Sequence, residues 1–376
     1  MDFYRDDLRE EQLKRERKKR NKRKRLVRRI IMTVMTIIIL SLGGCCAFLL
    51  VQYNQEKSRA AEAMVEIGTL EDRFNSGDYI TTVEADKMVE EAVLNAQGEL
   101  LNEVRSTMES GQTTLTLLEK LFPDLIITAD KGRYHFFEVN PELAKNDFSY
   151  EDLSYPVLNE ETGDYIGDVT LAESAGMETR KGIDVSKFQG KINWKKVAND
   201  DIDFAYMRLG YRGYGSGKIV LDDTFEYNIE KAKAADLDIG VYFFTEAVNE
   251  KEGIEEAEFV LENLEDYKVD LPIVIDVEES ASSDSRTKDL TKEERTKAVI
   301  AFCERIKEAG HEVMIYGNTK SFMVMMDNEQ LEDYDKWFAY YKYPLRFPYK
   351  MKMWQYTSSG EVDGIEGGTD INIMFY

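Results

Sequence analysis

Asp276 and Glu278 stand two residues apart at the end of the apolar run Pro272-Ile273-Val274-Ile275-Asp276-Val277-Glu278-Glu279. Side chains alternate faces along a strand, so the two carboxylates share one face while Ile273, Ile275 and Val277 take the other. Two carboxyls held side by side can protonate a glycosidic oxygen and manage the positive charge that develops at the sugar carbon. An acidic strand end meeting solvent is the simpler account of an isolated Asp-x-Glu in a chain of formal net charge -23. The surrounding elements must therefore decide between the two.

Those elements begin at Lys181. Strand candidates follow at Ile183–Ser186, Phe204–Leu209, Ile239–Phe244, Ile273–Glu278, Glu312–Tyr316, Lys336–Tyr341, Met351–Tyr356 and Ile371–Phe375. Helical runs separate the first five, including Phe225/Ile229/Ala232, then Ile254/Ala257/Leu261/Leu264, and a helix opened by the capping box Thr291-Lys292-Glu293-Glu294. Alternating strand and helix predicts parallel strands. The gap between Tyr341 and Met351 is too short for a crossover helix, which needs a dozen or more residues. Lys181–Tyr376 also falls short of the roughly 250 residues of a regular eightfold barrel. The pattern predicts an α/β fold, an irregular TIM-like barrel of five β/α units plus three strands. Catalytic residues of such barrels sit at the C-terminal ends of the strands. Asp184 ends the first strand, the Asp276/Glu278 pair ends the fourth, and Asp370 adjoins the eighth, which closure brings beside the first. Tyr242, Tyr316, Tyr340 and Trp354 offer flat faces for sugar rings, or serve as core, and Arg208 ends the second strand.

Read in order, Gly182-Ile183-Asp184-Val185-Ser186 with Gln189-Gly190, Ile192-Asn193-Trp194, Tyr206–Gly213, Gly240–Phe244, Pro272–Glu278, Trp337–Tyr341 and Trp354-Gln355-Tyr356 resemble the lysozymes of glycoside hydrolase family 25. The resemblance covers Lys181–Tyr376, about half the chain. It implies an N-acetylmuramidase that cuts the β-1,4 bond between N-acetylmuramic acid and N-acetylglucosamine in peptidoglycan glycan strands. It also implies Glu278 as general acid, Asp276 as the group assisting the reacting sugar, and Asp184 and Asp370 as flanking acids. Arg208, Tyr242, Tyr316, Tyr340, Trp354 and Gln355 are the candidate substrate-binding residues. Asn193, Arg208 and Thr245-Glu246 depart from frequent family choices; Glu246 is expected to add negative charge near the groove, raising the acid's pKa or altering subsite preference. Whether the 2-acetamido group of the substrate or an activated water attacks the sugar carbon stays open.

Outside that region the sequence reads as a membrane-anchored chain. Residues 1–29 hold 14 Lys and Arg against 6 Asp and Glu, and Ile30–Val51 carries no charge over 22 residues, about 33 Å as a helix against a bilayer core of about 30 Å. The positive-inside rule then predicts a basic cytoplasmic segment (1–29), a transmembrane helix (30–52) and everything beyond it outside the cell membrane. The basic cluster suits anionic lipids. A cleaved signal peptide fits less well, because the apolar run is long and no A-x-A-like site follows. Leu42-Gly43-Gly44-Cys45 resembles a lipobox, yet the apolar run continues past Cys46. Residues 53–176 read as a helical and α+β stalk region, with helices over Glu56–Glu66, Ala85–Met108 and Leu115–Phe122 and a hairpin of Leu125–Thr128 with Arg133–Val139; a cell-wall or secretion assembly partner is the alternative role. The turn-rich stretch Asn159–Gly176 precedes the barrel at 181–376. The strongly acidic body argues against nucleic acid. Two distant histidines, His135 and His311, and a lone Cys303 on an apolar helix face call for no metal or cofactor.

Overall fold

The computed structural model describes residues 82–158, 165–280 and 282–376, together with Tyr53 and Lys57. The expected transmembrane segment, the helix Glu56–Glu66 apart from Lys57, and Cys45 and Cys46 lie outside the described residues. Among the described residues no helix is long and apolar enough to cross a membrane. The chain divides after Asn102 into two units. What is described of the first is chiefly the start of the helix Thr82–Glu109, on which Met88, Val89, Leu94 and Leu101 are exposed.

Residues 103–376 form the second unit. After the last residues of the helix Thr82–Glu109 comes the helix Thr114–Leu121, capped by Thr113, whose hydroxyl accepts from the Thr116 amide. An antiparallel hairpin follows, β1 (Leu125–Asp130) and β2 (Arg133–Glu138), turned through Lys131 and Gly132, both at positive φ. The two pairs β3 (Leu153–Ser154) with β6 (Thr170–Leu171) and β4 (Val157–Leu158) with β5 (Tyr165–Ile166) are short. This stretch is not free of the barrel that follows it. Ile126, Leu143, Phe148, Leu153 and Val169 share its hydrophobic core, and the Phe148 ring stacks on Phe375 at 4.4 Å.

The barrel strands are β7 (Thr179–Val185), β8 (Phe204–Arg212), β10 (Asp238–Phe244), β11 (Ile273–Asp276), β12 (Val313–Asn318), β13 (Asp335–Ala339), β14 (Met353–Gly360) and β15 (Thr369–Phe375); β9 (Ile219–Leu221) folds back on β8. All neighbours pair parallel from β7 round to β14, and β15 closes the ring antiparallel to both β14 and β7. The helices Phe225–Lys233, Glu250–Asn263 and Lys292–Glu308 cover the outside, while a π-helical turn, Ser321–Met325, replaces a crossover helix after β12. The capping box at Thr291 forms as expected, with the Glu294 amide donating to its hydroxyl and its own amide donating to the Glu294 carboxylate.

Alternation sorts each strand. Ile183, Ile239, Ile273, Ile275, Ile315, Phe338 and Trp354 face the helices and outer segments, whereas Phe204, Tyr206, Val274, Met314, Trp337, Met353 and Met374 fill the barrel. Two glycines make room for that filling. A Cβ at Gly182 would stand 2.2 Å from the Phe204 ring, and one at Gly240 would stand 2.3 Å from the Tyr206 ring. Cys303 is buried on the inner face of its helix with Val299, Phe302 and Ile306, as its spacing predicted.

Candidate active site

At the C-terminal mouth of the barrel lies a cleft of about 590 Å³, lined by Asp184, Asp276, Glu278 and Asp370 with Arg208, Tyr242, Tyr316 and Gln355. Register explains the convergence. Asp184 and Asp370 are directly opposed across the antiparallel β7–β15 seam, so both side chains point the same way. Asp276 pairs with Phe244 on one side and Tyr316 on the other. Strand β11 ends at Asp276, short of the expected Glu278, yet the Val277 amide still donates to the Tyr316 carbonyl at 3.0 Å. That bond carries the alternation one step further and brings Glu278 to the cleft.

A hydrogen-bond relay fixes the floor. Gln355 Nε2 and Asn372 Nδ2 donate to Asp184 Oδ2 at 2.7 and 2.9 Å, and Trp337 Nε1 donates to Asn372 Oδ1 at 2.8 Å. The Tyr316 hydroxyl lies 2.7 Å from Gln355 Oε1 and also reaches the Glu278 carboxyl. Tyr341 donates to the same Gln355 oxygen. Tyr316 can therefore turn its single proton to Glu278 once that carboxyl has given up its own. Asp276 Oδ1 is buried and has no hydrogen-bond partner among the described residues. A buried acceptor left open is costly, and it marks where a polar substrate group would be received.

Burial and crowding shift the acids together. Burial, then the Asp370 charge, raises Glu278 to about 6. Burial likewise raises Asp370 to about 6. Asp184 and Asp276 rise well above the usual carboxylate range, by burial first and then by repulsion from Asp370 and Glu278 respectively. Four such groups in one cleft ionise less readily than isolated carboxyls, and the half-buried Glu278 keeps its proton to higher pH than an ordinary glutamate.

On one wall the Arg208 guanidinium lies 5.1 Å from the Phe188 ring and 5.2 Å from the Tyr211 ring, and its Nε donates to Asp222 at 2.8 Å. Burial would raise Asp222, but hydrogen bonds from Thr224 and the charge of Arg208 hold it below the usual range. Ser186 and Gln189 shape this wall without chemistry: the Ser186 hydroxyl caps the turn Lys187–Gln189, and Gln189 Oε1 accepts from the Ser186 amide at 2.9 Å.

Two expected binding residues lie elsewhere. Trp354 neighbours Gln355 on one strand and so faces the opposite way; it is fully buried against Tyr155, Tyr343 and Tyr356, with its Nε1 donating to the Tyr340 carbonyl. Tyr340 stacks on Phe338 at 6.0 Å, outside the barrel. Their place in the cleft is taken by Trp337 and Tyr341, with Phe188, Tyr211 and Glu279 also lining it. Strict alternation from Gln355 and from Phe338 carried the signal for this exchange. Glu246 is also not in the cleft. It is buried behind it, its Oε2 accepting from Ser285 at 2.8 Å and Thr287 at 2.7 Å, so it braces the loop after Glu279. Asn193 stands at the N-cap position of the short helix Trp194–Val197 without a side-chain cap bond, and it does not line the cleft.

The closed barrel gathers four acids at its C-terminal mouth, an arrangement compatible with glycoside hydrolysis. Residues 183–365 match the profile of Glycosyl hydrolases family 25. This part of the barrel is similar to members of that family, and the likeness supports a glycosidase of the lysozyme class. It is 29% identical over 212 residues to Lysozyme M1 of Streptomyces globisporus, covering 54% of this chain and 68% of that one. It is 26% identical over 200 residues to the uncharacterized protein YegX of Escherichia coli (strain K12), covering 52% and 70% respectively. The crystal structure of the bacterial lysozyme from Streptomyces coelicolor aligns at 26% identity and a TM-score of 0.43, over 51% of this chain and 90% of that one. The modular autolysin LytC from Streptococcus pneumoniae aligns at 24% identity and a TM-score of 0.48, and this chain spans 57% of its length.

Proposed function

We propose that this protein is a membrane-anchored peptidoglycan hydrolase that cleaves the β-1,4 bond between N-acetylmuramic acid and N-acetylglucosamine. One observation carries the reading: Glu278 and Asp276 line one cleft at the barrel mouth, Glu278 raised to about 6 and Asp276 with a buried Oδ1 that no group among the described residues meets. Glu278 donates its proton to the leaving oxygen and then, as a carboxylate steadied by Tyr316, takes one from water. Asp276 receives a polar group of the substrate, and the 2-acetamido group adjoining the anomeric carbon has the matching chemistry. Arg208 and the rings of Tyr242, Trp337 and Tyr341 shape the walls. The names of relatives such as Lysozyme M1 and the Autolytic lysozyme of Clostridium acetobutylicum support peptidoglycan as the substrate class. The uncharged run 30–51 behind a basic segment supports a single span with the barrel outside the cell.

Mass spectrometry of products from purified peptidoglycan tests this. Muramic acid at the new reducing ends is the expected result, and glucosamine there would assign the other bond. A protein that pellets with wall material yet releases no reducing sugar would instead be a glycan-binding barrel.

A further inference from the structure

The helix Thr114–Leu121 and the hairpin β1–β2 precede the family-matched region, yet they reach the rim of the cleft. The Lys320 ammonium lies 2.6 Å from Asp130 Oδ1, at the end of β1, and 2.5 Å from Glu279 Oε2, the residue after Glu278. Lys342, which follows the cleft-lining Tyr341, lies 3.3 Å from Glu119 Oε2, and Arg346 Nη1 donates to the Glu119 carbonyl at 2.7 Å. The segment thus clasps the loops leaving β11, β12 and β13. Two of these carry groups of the site.

We propose that Lys320 is a positioning residue for the catalytic acid: held by Asp130 of the hairpin, it tethers and neutralises Glu279 at the rim, making the N-terminal hairpin a working part of the cleft. The inference rests on Glu278 as proton donor. Without Lys320, the Glu279 carboxylate would become an uncompensated fifth acid beside Asp184, Asp276, Glu278 and Asp370. The groups facing this cluster come from several elements. Glu278 meets Asp370 of β15, Asp276 of β11, Asp184 of β7, Tyr316 of β12 and Tyr341. Glu279 meets Lys320 and the field of Arg295 on the helix Lys292–Glu308. Asp130 meets Lys320, Lys131 and His135, and the hydrogen bond from Lys320, backed by its charge, holds it below its ordinary range despite burial. Lys320 itself is raised, because the bonds to Asp130 and Glu279 outweigh its burial.

The test follows the Glu278 side-chain carboxyl by carbon NMR titration in the full chain, alongside the pH profile of kcat/KM. Lys320→Met is expected to raise the Glu278 midpoint by roughly half a unit, the direction an added neighbouring carboxylate imposes. The alkaline limb should move with it, and kcat should fall severalfold with KM nearly unchanged. Lys320→Arg should keep the wild-type midpoint, and adding Glu279→Gln to Lys320→Met should restore it. Asp130→Asn should speed amide hydrogen exchange at Glu279 and Ser280. A Glu278 midpoint unmoved by Lys320→Met, or not restored by Glu279→Gln, overturns the positioning role; unchanged exchange in Asp130→Asn overturns the part given to the hairpin. The titration is readable even if the wild type cuts no glycan, so failure of the proposed activity and failure of this inference are separate outcomes.

Discussion

In the proposed reaction Glu278 is the acid, and the burial and Asp370 charge that raise it fix the sign of two predictions. Glu278→Gln is expected to abolish reducing-sugar release while circular dichroism and thermal unfolding stay close to wild type, since the amide keeps the shape and loses only the proton. In the wild type, cleavage should fall as pH rises through about 6, where the acid loses its proton. Asp370 supplies the largest charge acting on Glu278. Asp370→Asn should therefore shift the alkaline limb of kcat/KM to lower pH. The same substitution should raise the melting temperature at pH 8. A carboxyl whose folded pKa lies above its unfolded value stabilises below the unfolded pKa and loses that contribution as pH rises through about 6, leaving a repulsive charge. The gain should shrink toward pH 4, and a gain independent of pH would contradict the electrostatic account.

At the level of the element, alternation does most of the placing and local caps fix the ends. Each expected barrel strand formed, and Asp276 and Glu278 reached one cleft as their spacing required. The choice between adjacent aromatic residues was less secure. Trp354 and Gln355 cannot both face inward, and parity along β14 gives the inward place to Gln355. Tyr340 and Tyr341 lie just past β13, yet the Tyr340 amide still donates to the Gln355 carbonyl at 3.1 Å, so alternation carries on and gives the inward place to Tyr341. Two substitutions probe this level. Thr291→Ala should cost about 1 kcal/mol in denaturant unfolding by removing the cap of the helix Lys292–Glu308. Gly240→Ala should cost more, about 1–3 kcal/mol, because the added methyl meets the buried Tyr206 ring in a closed barrel.

Across the whole molecule, the charge pattern and the apolar run separate a basic head from an acidic body carrying the barrel. If residues 30–51 span the membrane, the full chain should fractionate with membranes and resist alkaline carbonate extraction, while protease added to intact wall-stripped cells should remove the barrel. Recovery of the intact chain in the soluble fraction would reject the span. The sequence by itself determined the barrel, the order of its strands, the four acids and their common face. Those depend on periodicity and on short motifs, which are local properties. Only the tertiary structure decided that Asp184 and Asp370 oppose one another across the closing seam, that Glu246 braces a loop instead of charging the groove, and that residues 114–158 pack onto the barrel and reach Glu279 through Lys320. Each depends on contacts between residues tens to hundreds of positions apart. A one-dimensional pattern carries no record of those distances.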